Sequence, residues 1–385
     1  MGDNELSSIQ QDAYEPGILP EGIRSRFVNA NGLRMHILEA GYETPARPCV
    51  LLLHGFPELA YTWRRNMLPL ADRGFHVIAP DQRGFGRTTG WAYGYDVDLH
   101  PFGMLNLVTD AVSLVTAIGY RRVHAVVGHD SGAMVAAYSA LIRPDIFHSL
   151  VMMAAPFPGI PEPALGVEGW AAAFQDDPIH EALCALEPPR KHYQLYYSSA
   201  EADVDLHTPQ QGLHAFLRAY FHVKSADWKQ NRPYRLNSQK ADELAKMPTY
   251  YIMERDKDMA ATVHPYMPGQ DEVNACTWLT ERELKVYSSE YARTGFQGSL
   301  NSYRCGSIGL NTHEMRLFAG RTIDVPALYI AGRYDWSTYL RPGFLEAMSQ
   351  CACTDFRGSY FVDNAGHWVQ QEQSGKTNDL LLRFL

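Results

Sequence analysis

Val126-Val127-Gly128-His129-Asp130-Ser131-Gly132-Ala133 is the stretch on which the reading of this chain turns. An apolar strand, Val123 to Val127, runs into a small-x-acid-x-small turn, and a helix-like run from Ala133 to Leu141 follows. This is the layout of a nucleophile elbow, the strained strand-to-helix turn that lifts one side chain above the top of an α/β sheet. The backbone folds too tightly there for bulky neighbours two residues before or after the lifted one. Centred on Asp130, both flanks are glycine, Gly128 and Gly132. Centred on Ser131 they are His129 and Ala133, and a histidine does not suit that position. The nucleophile is therefore read as a carboxylate, not a serine hydroxyl. The plainer alternative makes Asp130 a helix N-cap, a role worth about 1 kcal/mol that accounts for many aspartates at such junctions.

Outward from the elbow, the first part of the chain alternates strand and helix signals, as an α/β sheet requires. Arg24 to Asn29 and Arg34 to Glu39 read as a hairpin turned by Ala30-Asn31-Gly32. Val50 to Leu53 is a buried strand, Tyr61 to Asp72 an amphipathic helix closed by Gly74, and His76 to Ala79 the next strand. Gly84-Phe85-Gly86 makes a turn, and Leu105 to Ile118 a long helix with apolar spacing; Leu150 to Met153 is a strand beyond the elbow. After Pro156-Phe157-Pro158 the alternation stops. Residues from about 160 to 318 read as helical segments dense in tyrosine. Strand signals return at Ala327 to Ala331 and Tyr360 to Val362, and Asn378 to Leu385 closes the chain as a helix. The economical organisation is an N-terminal arm (1–21), an α/β core in two parts (22–158 and 319–385), and a helical cap (159–318) inserted over the C-terminal edge of the sheet.

Bulk properties narrow the classes. The 385 residues are 46% hydrophobic and 20% charged, with mean hydropathy −0.27, an ordinary globular composition with room for one large core and an accessory domain. A formal net charge of −9 argues against binding to nucleic acid or to an anionic membrane surface. No apolar run approaches the ~20 residues that span a bilayer, so no stable membrane anchor is expected. The opening Met1-Gly2-Asp3-Asn4-Glu5 resembles neither a secretory signal nor a transit peptide. Six cysteines lack metal-ligand spacing and read as free thiols in a reducing cytoplasm. No metal site, phosphate loop or cofactor is expected, and homo-oligomerisation is left open.

A carboxylate nucleophile forms an ester that must then be cleared, which calls for a base to activate water and an acid to orient the base. In α/β hydrolases these follow in the order nucleophile, acid, histidine. Asp335, in Ala331-Gly332-Arg333-Tyr334-Asp335, and His367, in Asp363-Asn364-Ala365-Gly366-His367-Trp368, both follow predicted strands. Strand-end loops are where this architecture places its chemistry. A surface-loop aspartate is the bland reading of Asp335; Asp363 is a weaker rival, poorly placed to grip a histidine four residues along. His54-Gly55-Phe56-Pro57 follows the third strand and supplies the other oxyanion loop, so the backbone N–H groups of Phe56 and Ser131 are the expected oxyanion hole, with a cis peptide expected before Pro57.

Across residues 22 to 385 the chain resembles the soluble epoxide hydrolases of the α/β-hydrolase fold. The motifs that carry this are His54-Gly55-Phe56-Pro57-Glu58 with Trp63 beyond, Gly128-His129-Asp130-Ser131-Gly132, and Gly366-His367-Trp368-Val369-Gln370-Gln371-Glu372. In the insertion, Tyr193-Gln194-Leu195-Tyr196 and Thr294-Gly295-Phe296-Gln297-Gly298-Ser299-Leu300-Asn301-Ser302-Tyr303-Arg304 resemble the family segments that bear two epoxide-binding tyrosines. The resemblance thus implies a mostly parallel sheet flanked by helices with a large helical cap. It also implies catalytic Asp130, Asp335, His367, Tyr193 and Tyr303, and an epoxide and water as reactants. Lone aromatics in a helical cap are otherwise packing residues. Ser131 departs from the tryptophan that many members, and the haloalkane dehalogenases, carry after the nucleophile. Ser131 and Met134 also stand where fluoroacetate dehalogenases place arginines. Both halide chemistries lose ground without being excluded, and the alternatives are a haloalkane or haloacid dehalogenase or another hydrolase on the same fold, or a ligand-binding protein without turnover.

Overall fold

A computed structural model describes residues 14–160 and 178–385. The start of the expected arm and of the expected cap (residues 1–13 and 161–177) therefore lie outside the described residues. The strands are β1 (Ile23–Ala30), β2 (Leu33–Ala40), β3 (Cys49–Leu53), β4 (His76–Pro80), β5 (Ala125–His129), β6 (Leu150–Met153), β7 (Arg190–His192), β8 (Ile252–Glu254), β9 (Ala327–Gly332) and β10 (Phe356–Val362). Eight form one sheet in the order β1-β2-β4-β3-β5-β6-β9-β10. The pairs β1/β2 and β2/β4 are antiparallel, and every pair from β4 to β10 is parallel.

The central strands are apolar throughout because both faces of the sheet are covered. Alternation along a strand sends neighbours to opposite faces. Leu51, Leu53 and Val126 pack with Leu114 and Ala137, while Val50, Leu52 and Val127 pack with Trp63, Met67 and Leu381. Helices α1 (Met67–Asp72), α2 (Met104–Ala117) and α3 (Ser131–Ile142) supply most of that cover, and alanines along α3 let it lie close on the sheet.

Where a single helix is expected over Tyr61 to Asp72, a 3-10 turn (Ala60–Arg65) is followed by α1. Pro69 has no N–H to offer the carbonyl of Arg65, so one α-helix cannot run through. That carbonyl instead accepts the side-chain N–H of Asn378 at 3.0 Å. The elbow strand also runs two residues further than its apolar pattern suggests, to His129.

Between β6 and β9 the chain leaves the sheet and its described residues fold mainly as helices, among them α4 (Tyr193–Tyr197), α5 (Leu213–Lys224), α6 (Glu281–Thr294) and α7 (Gln297–Ser307). A two-stranded sheet, β7 with β8, is the exception that its polar residues conceal. The insertion has its own aromatic core, which reaches down to Phe56, Trp336 and Trp368 of the sheet domain. Helix α7 meets that domain backbone to backbone: a Cβ on Gly298 would lie 2.6 Å from the carbonyl oxygen of Gly84. After β10 come α8 (Val369–Glu372) and α9 (Ser374–Phe384).

Candidate active site

Asp130 stands between β5 and α3 with φ 53° and ψ −121°, and its side chain makes no capping bond to the helix. The N-cap reading therefore fails, and the residue carries the strain of a positive φ, on the order of 1–3 kcal/mol. Its flanks explain the glycines. A Cβ on Gly128 would sit 2.1 Å from the carbonyl oxygen of Gly132, and one on Gly132 would sit 2.4 Å from that of His54. Gly55 is likewise required, since its Cβ would lie 2.4 Å from that of Asp130.

The oxyanion loop closes on one oxygen of this carboxylate: the Phe56 N–H donates to Asp130 Oδ1 at 3.3 Å. Ser131 is the first residue of α3, where a backbone N–H has no partner within its helix. The Phe56–Pro57 peptide is cis, as expected.

His367 faces the other oxygen, its Nε2 lying 3.4 Å from Asp130 Oδ2. On its far side Nδ1 is 3.2 Å from Asp335 Oδ1. Asp335 is itself fixed by the N–H of Ser337 (2.9 Å) and by the Ser337 hydroxyl. The rival Asp363 pairs with Arg333 at the surface. The turns bearing Asp335 and His367 pass so closely that a Cβ on Gly332 would lie 2.0 Å from the Gly366 carbonyl oxygen. The base loop is clamped by Glu372, whose carboxylate accepts the N–H groups of Gly366, Trp368 and Ala226, the last from the insertion.

These contacts set the charges. Burial opposes the imidazolium, but Asp335 and the bond to Asp130 outweigh it and push His367 up to about 9. Asp130 moves the opposite way: desolvation is overcome by His367, and its carboxyl is held well below the usual range. Asp335 is lowered too, against its burial, by His367 and Ser337. The three residues form an ion triad in which Asp130 is ionised.

A second layer lies beneath, and the sequence does not announce it. His129, fully buried beside the nucleophile, bridges Glu58 (Nδ1 to Oε2, 2.6 Å) and the carbonyl of His367 (Nε2 to O, 2.7 Å). Glu58 also accepts from the Gly55 N–H and from the side-chain amides of Gln370 and Gln371. One carboxylate thus ties the oxyanion loop, the nucleophile strand and the base loop together. Both residues lie in the quoted motifs, but nothing local marks a pairing across 71 positions.

Tyr193 opens α4 directly after β7, and its N–H donates to the Tyr251 carbonyl beside β8 at 2.9 Å. Tyr303 lies on α7, whose first turn is held by Asp203 accepting from the N–H groups of Phe296 and Gln297. The two rings approach to 6.2 Å between centroids, with Tyr303 at 5.5 Å from Phe56. Tyr197 fills the space among them. Burial and the Asp130 charge raise both phenols, so each is a neutral O–H near an anionic carboxylate. Among the described residues no cluster of His, Cys, Asp or Glu could hold a metal, and no helix is long and apolar enough to cross a membrane.

Comparison with known proteins agrees with this geometry. A family model for the alpha/beta hydrolase fold matches residues 48–179. Epoxide hydrolase A of Mycobacterium tuberculosis is 31% identical over 94% of this chain and 96% of its own length. Epoxide hydrolase 3 of Siraitia grosvenorii is 29% identical over 93% and 96%. The crystal structure of epoxide hydrolase A from Mycobacterium thermoresistibile superimposes with a TM-score of 0.72 at 30% identity, covering 94% of this chain and 98% of that one. Potato epoxide hydrolase I gives 0.67 at 27% identity, with 94% and 98% covered. A carboxylate raised on a glycine-flanked elbow, a facing histidine and a helical cap are thus found in a chain that belongs to the epoxide hydrolases of the α/β-hydrolase fold.

Proposed function

We propose that this chain converts an apolar or aryl epoxide and water to a vicinal diol through an ester on Asp130. The observation that carries the reading is the opposed arrangement at that carboxylate. Oδ1 is held by the Phe56 N–H, while Oδ2 faces His367. Oδ2 attacks an epoxide carbon while Tyr193 and Tyr303 hydrogen-bond the ring oxygen. A neutral phenol is a suitable acid for an opening alkoxide, which an ester substrate would not require. Oδ1 becomes the ester carbonyl oxygen. His367, oriented by Asp335, then takes a proton from water, which attacks the Asp130 carbonyl carbon. The oxyanion is met by the N–H groups of Phe56 and Ser131, and losing one such donor commonly costs about 3 kcal/mol.

The rings of Phe56, Tyr197 and Phe296 beside the two tyrosines support an apolar or aryl substrate, and six free thiols support a cytoplasmic setting. The test is a single turnover of styrene oxide by excess enzyme in 18O-water. Unlabelled diol with label in the Asp130 peptide is the expected result; labelled diol with unlabelled Asp130 would mean direct attack by water and sink the ester route.

A further inference from the structure

Lys224, the last residue of α5, meets the site twice. Its carbonyl oxygen accepts the N–H of His367 at 2.8 Å. Its side chain is buried, the residue being only 4% exposed. The ammonium nitrogen lies 4.9 Å from the ring centroid of Tyr251 and 5.0 Å from that of Tyr220. Tyr250 follows at 5.9 Å, and Tyr193 and Trp368 at 6.0 Å. Aromatic faces stabilise a cation without neutralising it. Among the described residues no carboxylate forms an ion pair with it. Lys224 therefore brings a positive charge without an ion-pair partner to the edge of the catalytic cluster. A cation at a helix C-terminus is also favourable for the helix alone, so the test must separate the two roles.

We propose that Lys224 is a positioning residue for the second half-reaction, a buried cation that favours the neutral, water-activating form of His367 once Asp130 is esterified. The inference rests on the ester route above. Its basis is a charge count. In the resting site Asp130 and Asp335 are negative, and His367 and Lys224 positive. The phenols of Tyr193, Tyr250, Tyr251 and Tyr303 are neutral. The other ionisable groups beside His367 are His129, at 4.9 Å between rings, Glu58 paired with it, and Glu372 on the N–H groups of Gly366 and Trp368, which burial pushes up to about 8 and so keeps mostly neutral at pH 7. The four charges cancel.

Esterification removes the charge on Asp130. A protonated His367 would then leave an excess positive charge in a poorly solvated site, which is costly. Shedding the proton restores balance, and the opened epoxide oxygen needs one. Without Lys224 the imidazolium and Asp335 would balance each other, and the base would stay blocked. The field of Lys224 indeed opposes protonation of both His367 and Asp130. In the step so enabled, the water oxygen bonds to the Asp130 carbonyl carbon and its proton passes to His367 Nε2. The adduct then breaks the C–O bond to the diol oxygen, which takes that proton.

Single-turnover mixing of excess full-length enzyme with styrene oxide, quenched and weighed intact, reads ester formation and decay separately. In Lys224→Met, formation at pH 7 should stay within about threefold of the parent, while decay slows about tenfold and recovers with rising pH, its apparent pKa moving up by about one unit. Lys224→Gln should repeat this, and serves if the Met variant does not fold. Lys224→Arg keeps the charge and should decay at the parental rate. An unchanged decay profile in the Met or Gln variant, equal loss in the Arg variant, or unfolding of all three would overturn the proposal. If the parent itself shows no mass added to Asp130, the ester route has failed, which is a separate result from a parental ester that decays alike in every variant.

Discussion

Asp130 occupies a conformation that costs energy and makes no capping contact, so its position is intelligible only through its chemistry. Two substitutions separate the roles around it. Asp130→Ala should lose turnover entirely, since it removes the carboxylate that bridges the Phe56 N–H and His367. His367→Gln should still open the ring and then stall, and intact mass spectrometry should show enzyme plus one substrate mass. Neither variant touches the tyrosines, which on the proposed route act earlier, in ring opening. Tyr193→Phe and Tyr303→Phe should each slow ester formation about 10²-fold, the lower range for loss of a general acid, and leave ester decay nearly parental. Quenched single-turnover kinetics checks that division, and slowed decay with normal formation would contradict it.

At the scale of elements, the site depends on loops that are held by bonds from elements far apart in sequence. Glu58 is the clearest case, joining the loops after β3 and β10 and the end of β5 through bonds to Gly55, Gln370, Gln371 and His129. Its carboxyl sits below the normal range, because the charge of His129 and several donors outweigh a large burial penalty. Glu58→Ala would strand His129 without its partner in a dry interior, at a cost of about 3–5 kcal/mol in denaturant unfolding. A cost below 1 kcal/mol would show that this network does not hold the loops. The β7–β8 pair plays the same part for the cap, since it fixes the backbone from which Tyr193 projects.

For the whole molecule, acid stability should be set by carboxylates that cross-link distant segments. Asp81 accepts from His36 on β2 and from the N–H groups of Ala60 and Arg87, and these bonds overcome desolvation to lower it to about 2. Glu39 is lowered to about 2 against its own desolvation by His76, Arg26 and Arg24. Each folded-state value is below the unfolded one, so the stabilisation is complete above the ordinary carboxylate range and is lost as pH falls through it towards 2. Asp81 alone accounts for about 2 kcal/mol of that loss. Unfolding midpoints measured from pH 6 to pH 2 should hold nearly level and then drop below pH 4. Asp81→Asn should be less stable at neutral pH and flatten the drop.

Much of this protein is local in origin and so was readable along the chain. Gly128, Asp130 and Gly132 mark the elbow because a tight turn excludes Cβ atoms at fixed offsets, whatever surrounds it. The unbroken apolar run of β3 declares a strand covered on both faces, since every second residue meets a different layer. The placement of Asp335 and His367 beside Asp130 was legible because strand ends are where this architecture presents side chains, and that of Tyr193 and Tyr303 near each other through the motifs around them. Partnerships across space left no such trace. Glu58 with His129, Asn378 with the carbonyl that Pro69 leaves open, and Lys224 among its five rings join segments far apart in sequence. A residue's type limits what it can donate, accept or neutralise, but its partner depends on how separate elements pack, and the charge it keeps depends on the water that packing excludes.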